Sequence, residues 1–296
     1  MNRPVQGLRT LAILSSRELA RSFSPYVGQR RGRVSAVRRV LEQLLMGRTK
    51  VLVTCFFFGL LSIVLGVITL QGEPLGHHPT RSITSMLSVM TCLGFGAVSL
   101  SAASIADDWA VIGRETLWGI KAGTQILARF LAMAVPTVVM SVAIALIYVA
   151  WVGLEGTTFV TLPMLYCAGL FSLYGLSCLA LGLTISSLVG GVRSAVYLLM
   201  LMMSLLVLLS DIPFVIEELG GVGNLFWLIS YTMPSRYCAG AWAAGIDFTP
   251  LWSRGWTWTS AWLNIGLDFL YMAVLTVIYL VIAAIRVRRE APKHFS

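Results

Sequence analysis

The sequence predicts an all-α polytopic membrane protein: six transmembrane helices, an N-terminal interfacial amphipathic helix, a short polar helix after the second span, and outer re-entrant helices before the sixth. Three observations carry that expectation. Hydrophobic residues make up 57% of the 296-residue chain and charged residues only 12%, too little polar surface for a soluble domain of this length. Apolar stretches long enough to cross a hydrocarbon core of about 30 Å recur along it. Finally, 19 of the 22 Lys and Arg residues fall in segments that such spans place on one face: 11 before Val51, then Arg114, Lys121, Arg129, Arg193, Arg286, Arg288, Arg289 and Lys293. Only Arg81, Arg236 and Arg254 are left for the other face. Short loops rich in Lys and Arg resist translocation, so the basic face is expected to be cytoplasmic, with both termini on it and the protein in the cell membrane.

Residues 1–50 form a basic cytoplasmic or interfacial segment with two helical patterns. In the second, Val37, Val40, Leu41, Leu44 and Leu45 recur at helical spacing, while Arg38, Arg39, Glu42 and Gln43 take the opposite face. The stretch from Leu8 to Phe23 shows a weaker version, and Ser24 to Arg33, with Pro25, Gly28 and Gly32, reads as a linker. Both helices suit the membrane interface, with arginines toward lipid phosphates.

The six-span body covers residues 51–286. Val51 to Leu70 is uncharged for 20 residues and makes the first span. The second is expected over about 82–106, the third over 125–152, the fourth over 162–188, the fifth over 194–210 and the sixth over 261–285. A polar amphipathic segment, 107–122, joins the second to the third, with Asp107 or Asp108 as a helix N-cap. Its Trp109, Ile112, Leu117 and Ile120 can lie against lipid while Arg114, Glu115 and Lys121 face water or a partner. In the outer segment 211–260, six of the nine tryptophans gather in or at its edge, and breaks at Pro213, Gly220, Gly221, Gly223, Pro234, Gly240 and Gly245 suit short re-entrant helices packed on the bundle. Residues 287–296 form a cytoplasmic tail.

Composition also excludes functions. The net charge of +9 is divided between faces, which reads as topology and attraction to anionic lipids, with no nucleic-acid partner expected. The five cysteines have no metal or disulfide spacing and read as packing residues. No cleavable signal peptide is expected, since the first apolar run, Leu11 to Leu14, is too short. His77 and His78 lack a third ligand, so no metal site is expected. No phosphate-binding Gly-x-x-x-x-Gly-Lys-Ser/Thr loop occurs, and no catalytic triad or carboxylate pair is visible, so the chain is not expected to be an enzyme or to hold a cofactor.

Two helical faces carry softer or polar residues: Ser85, Ser88, Cys92, Phe95 and Ser99 in the second span, and Ser194, Tyr197, Leu201 and Ser204 in the fifth, with Met200 and Met203 adjacent. They read either as a transport path or as helix packing, since small residues and hydroxyls also mediate contacts between membrane helices. Asp268 is the only acid well inside a span. Burial of an aspartate there costs roughly 2.5–3.5 kcal/mol on insertion scales, so it needs a partner, and a structural bond to the re-entrant segment is preferred over proton coupling.

The run Arg114-Glu115, Gly119-Ile120 and Ile126-Leu127-Ala128-Arg129-Phe130 resembles the cytoplasmic loop of the type-2 ABC transporter permeases, relatives of the ABCG membrane domain. Met233-Pro234-Ser235-Arg236-Tyr237, followed by Ala241-Trp242-Ala243-Ala244, is similar to that family's outer Pro-x-Arg-aromatic stretch. The order of elements matches over nearly the whole chain. Gln125 departs from the pattern, standing where many relatives carry an aromatic residue, and the linker at 24–33 leaves open which N-terminal helix is the connecting helix, 35–47 being favoured.

The resemblance implies the permease subunit of an exporter. A separate ATPase subunit would hold ATP and Mg, and a second permease chain would complete a dimer. Residues 107–122 would be the coupling helix, with Asp108, Arg114, Glu115, Trp118 and Lys121 at the ATPase contact. The second and fifth spans would flank the translocation path, through Ser88, Cys92, Phe95, Ser99, Tyr197, Met200 and Ser204, and suit an amphipathic, drug-like or lipid-linked substrate. Competing readings are an ion-coupled secondary transporter or channel using Asp268, and a membrane-embedded lipid enzyme using His77, Asp211 or Glu217.

Overall fold

The computed structural model describes residues 12–16, 79–102, 104–106, 108–152, 163–210, 228–245 and 261–291. The expected connecting helix at 35–47, the first span at 51–70, residues His77 and His78, and residues 211–227 and 246–260 of the outer segment lie outside them. All elements among the described residues are helical. In chain order they are α1 (Pro79–Ala102), α2 (Trp109–Leu117), α3 (Ala122–Val152), α4 (Pro163–Leu188), α5 (Val192–Leu208), α6 (Pro234–Gly245) and α7 (Ala261–Glu290). A helical stretch also occupies 12–16.

Among the described residues, α3, α4 and α7 are long and apolar enough to cross a membrane, and α1 and α5 contribute shorter apolar stretches. In α3, Pro136 cannot donate a backbone hydrogen bond one turn back, yet the helix runs on through it. The adjacent Thr137 hydroxyl donates to the Met133 carbonyl of the preceding turn at 2.8 Å.

α4 is the central helix, packed against α1, α3 and α7. Its small and hydroxylated residues, including Ser177, Cys178, Ala180, Thr184, Ser186 and Ser187, are all buried. Small side chains let backbones approach, and hydroxyls then bond across the gap. The Ser177 hydroxyl donates to the Met272 carbonyl at 3.1 Å and lies 2.8 Å from Thr276 Oγ1. Thr184 Oγ1 donates to the Tyr279 carbonyl at 2.8 Å, and the Tyr174 hydroxyl to the Met90 carbonyl at 3.1 Å.

α5 packs against α1 through the side that buries Leu199, Met203 and Leu206. α6 lies along α7 and touches α4. Tyr237 stacks on Tyr271 with ring centroids 5.2 Å apart, the Tyr166 hydroxyl donates to the Ala241 carbonyl, and the Tyr279 hydroxyl to the Thr232 carbonyl. The opposite side of α7 leaves Leu270, Val274, Val277, Val281 and Ile285 exposed, an apolar row that only hydrocarbon solvates well.

Candidate functional site

Among the described residues, two places concentrate polar chemistry on an otherwise apolar scaffold. The first is the junction where α1 hands the chain through α2 to α3. α2 has only nine residues, and an isolated helix of that length is marginal, so its order must come from its surroundings. Its underside supplies part of the answer: Trp109 and Ile112 pack in a cluster with Ile105, Ile126 of α3, Leu183 of α4, and Ala283, Val287 and Ala291 at the end of α7.

Polar bonds supply the rest. The Ser186 hydroxyl of α4 accepts from the backbone N–H groups of Ile105 at 2.9 Å and Ala106 at 3.0 Å. Trp109 Nε1 donates to the Val189 carbonyl at 3.2 Å. Arg129, about two turns into α3 and only 2% exposed, donates from Nη1 to the Ser104 carbonyl at 2.7 Å and to Asp108 Oδ2 at 2.9 Å. A buried cation is tolerated when paired and hydrogen-bonded in this way. Asp108 is the N-cap residue by position, but its side chain makes no capping bond. The expected N-cap position is thus occupied by Asp108, while its carboxylate is held by the guanidinium, which offers a stronger charge-assisted bond than a helix amide.

The far end of α2 closes as a Schellman motif. Ile120 N–H donates to the Glu115 carbonyl at 3.1 Å, Gly119 N–H donates to Thr116 at 3.0 Å, and Gly119 takes φ +83°, which a side chain would resist. This turn leaves Leu117 and Trp118 69% and 78% exposed, with Arg114 and Lys121 also on the open side. Glu115, by contrast, is 3% exposed. The expectation that it faces water or a partner is corrected, as is that of lipid contact for Trp109 and Ile112: α2 turns this side toward the bundle, and protein covers all three.

The second polar place joins α6 to α7. Asp268 is 9% exposed, and its Oδ2 lies 2.8 Å from where a Cβ on Gly240 would stand, so α6 can approach only because that residue is glycine. Arg236, one turn before Gly240, is also buried on α6. Its own guanidinium donates to Ser230 Oγ and stacks 4.3 Å from the Tyr231 ring centroid. Asp268 of α7 thus packs closely on Gly240 of α6.

The family model described as ABC-2 type transporter matches residues 32–245. The chain belongs to the ABC-2 type transporter family. No curated protein matches it significantly. It is thus an ABC-type permease and a membrane protein.

On this ABC-2 permease the residues expected at the path fall into two sets. Ser88, Cys92, Phe95 and Ser99 share one half-buried side of α1. Tyr197, Met200, Leu201 and Ser204 share the exposed side of α5, where the Ser204 hydroxyl donates to the Met200 carbonyl of its own helix at 3.2 Å. Neither set lines the gap among α1, α4 and α5, which is walled by Leu87, Met90, Thr91, Tyr174, Met203 and Leu206 among others. Met203 belongs to that wall rather than to the open side. Of the residues expected at the ATPase contact, Arg114, Trp118 and Lys121 share the open side of the α2 turn, whereas Asp108 and Glu115 are turned inward. Arg129, Ser104 and Ser186 hold the α2 junction through contacts that sequence reasoning missed. Arg129 had one available signal, a cation followed by an uninterrupted apolar run, which requires a nearby carboxylate.

Proposed function

We propose that this chain is the membrane subunit of an ATP-binding cassette exporter, with six spans and both termini in the cytoplasm of the cell. It moves an amphipathic, drug-like or lipid-linked substrate out of the cytoplasm or inner leaflet. A separate ATPase subunit, carrying ATP and Mg, supplies the energy, and a second permease chain, identical or related, completes the dimer.

In this reading α2 is the coupling helix and its exposed Leu117-Trp118 end enters the ATPase subunit. The observation that carries the reading is the double attachment of α2. A short helix whose entry, residues 105–109, is bonded to Arg129 of α3 and to Ser186 and Val189 at the end of α4, and whose underside packs on α7, cannot be displaced alone. A push on its exposed end therefore moves these long helices together, because a close-packed interior transmits displacement instead of absorbing it. The two bundles then rock against each other, and the faces of α1 and α5 line the path that opens. The apolar character of those faces, softened by hydroxyls and methionines, suits a substrate that is itself amphipathic.

The test is transport in inside-out vesicles holding the chain together with an ABC ATPase subunit that co-purifies with it. Substrate uptake that requires hydrolysable ATP and survives collapse of ion gradients supports the reading. Uptake that persists without ATP while an ion gradient is maintained sinks it. Stimulation of hydrolysis across a panel of lipids and drugs then identifies the substrate class.

A further inference from the structure

Between the α2–α3 turn and the last turns of α7 lies an open recess of about 630 Å³. Lys121 stands on one side of it and Arg288 on the other, and both are exposed. No carboxylate is among its lining residues. Arg286, two residues from Arg288, is turned to Glu290 at 3.8 Å and does not line the recess. The mouth is open beside Gly119 and Gly123, where a Cβ would meet nothing within 4 Å. The floor is apolar, made by Val281 and Ile285, and these two also belong to the exposed apolar row that continues along α7 through Val277 and Val274.

A site with two cations at its rim and a hydrocarbon-compatible wall leading away from them has the polarity of one class of molecule. A free phosphate would satisfy the cations and leave the wall wet. A neutral lipid would cover the wall and leave two positive charges facing each other without compensation. We propose that the recess holds the phosphate head group of an anionic phospholipid between Lys121 and Arg288, with its acyl chains laid along the open side of α7. Basic pockets at the ends of membrane helices bind such head groups, each Lys or Arg contributing about a fivefold gain in affinity. The placement of this lipid in the cytoplasmic leaflet rests on the orientation proposed above; the binding itself does not. Seated there, the lipid would brace the α2–α3 turn against α7, whose Ala283 and Val287 already pack with Trp109 and Ile112 of α2.

The experiment is a titration of the full-length purified chain in neutral detergent with dioleoyl phosphatidylglycerol, read by native mass spectrometry, with dioleoyl phosphatidylcholine and inorganic phosphate as parallel probes. Wild type should retain one phosphatidylglycerol per chain in preference to phosphatidylcholine. Lys121→Gln and Arg288→Gln should each weaken retention about fivefold and the double variant about 25-fold, while Arg289→Gln, exposed but outside the recess, should match wild type within about twofold. Should the double variant not survive purification, Gly123→Leu fills the mouth without removing charge and should also expel the lipid. The proposal fails if the double or the filled variant binds as wild type does, if phosphatidylcholine binds equally well, or if inorganic phosphate displaces the lipid at equal concentration. Because no ATPase subunit takes part, a failure of ATP-driven transport would leave this titration unchanged, and a failed titration would leave the transport reading standing.

Discussion

Arg129 and Asp108 face each other across the α1–α3 junction at 2.9 Å, the guanidinium 2% exposed and the carboxylate side chain 18%. With Ser104 held by the same nitrogen at 2.7 Å, one arginine ties the entry of α2 to the body of α3. Removing one partner of a fully buried pair costs about 3–5 kcal/mol, because the remaining charge is stranded. Asp108 keeps some solvent, so Asp108→Asn is expected to cost about 2–3 kcal/mol. A double-mutant cycle with Arg129→Gln, read by thermal unfolding in detergent, should give a coupling of at least about 1 kcal/mol; strictly additive losses would show that the pair does not act as a unit.

Ser186→Ala removes the acceptor of two buried backbone N–H groups, those of Ile105 and Ala106. Each orphaned donor costs about 1–3 kcal/mol. Amide exchange at Ile105 and Ala106 should therefore accelerate by at least about tenfold while exchange in the middle of α4 stays slow. Unchanged protection at those two amides would mean that the hydroxyl is not what holds the turn.

Gly240→Ala should be destabilising by about 1–3 kcal/mol, since the new methyl carbon would stand 2.8 Å from Asp268 Oδ2 and 3.5 Å from its Cγ. Shortening the opposing side chain in the double variant Gly240→Ala, Asp268→Ser should recover much of the loss. If the second change makes matters worse instead, the clash is not the cause.

Trp118→Glu and Leu117→Glu change side chains that touch little of the permease itself. Substitutions at such exposed positions shift stability by about 0.5 kcal/mol or less, so the thermal midpoint of the isolated chain should hardly move. If the α2 end is the ATPase contact, both changes should lower substrate-stimulated ATP hydrolysis by at least about tenfold. Full stimulation in either variant would count against that assignment.

Asp268→Asn keeps the shape of a side chain packed on Gly240 and removes its charge. ATP-driven transport is expected to stay within about threefold of wild type. Abolished transport in a variant that folds and reaches the membrane would favour the ion-coupled reading, in which this carboxylate carries the ion.

Hydropathy alone was enough to locate α3, α4, α5 and α7, whose observed ends fall within a few residues of the expected spans except that α7 runs on to Glu290. Such helices are legible because a long apolar run leaves the backbone no alternative to internal hydrogen bonding. The polar segment after α1 was legible as a separate element for a related reason, the interruption of apolar runs by Asp107, Asp108, Arg114 and Glu115, and the family resemblance marked it as a helix. Its facing was not. Periodicity separates the two sides of a helix but says nothing about what lies beside each, and in nine residues a single buried glutamate reverses the reading.

The linear chain therefore determined that this protein spans a membrane, where most of its helices begin and end, and that its second polar stretch is a separate element, all consequences of solvation acting residue by residue. Only the tertiary structure decided that Asp108 serves Arg129 instead of a helix amide, that Glu115 points inward while Trp118 points out, that Asp268 rests on Gly240, and that Lys121 and Arg288 share one recess although 167 positions separate them. Those outcomes depend on distances between helices, which are set by side-chain packing across the bundle, a quantity that no single segment contains.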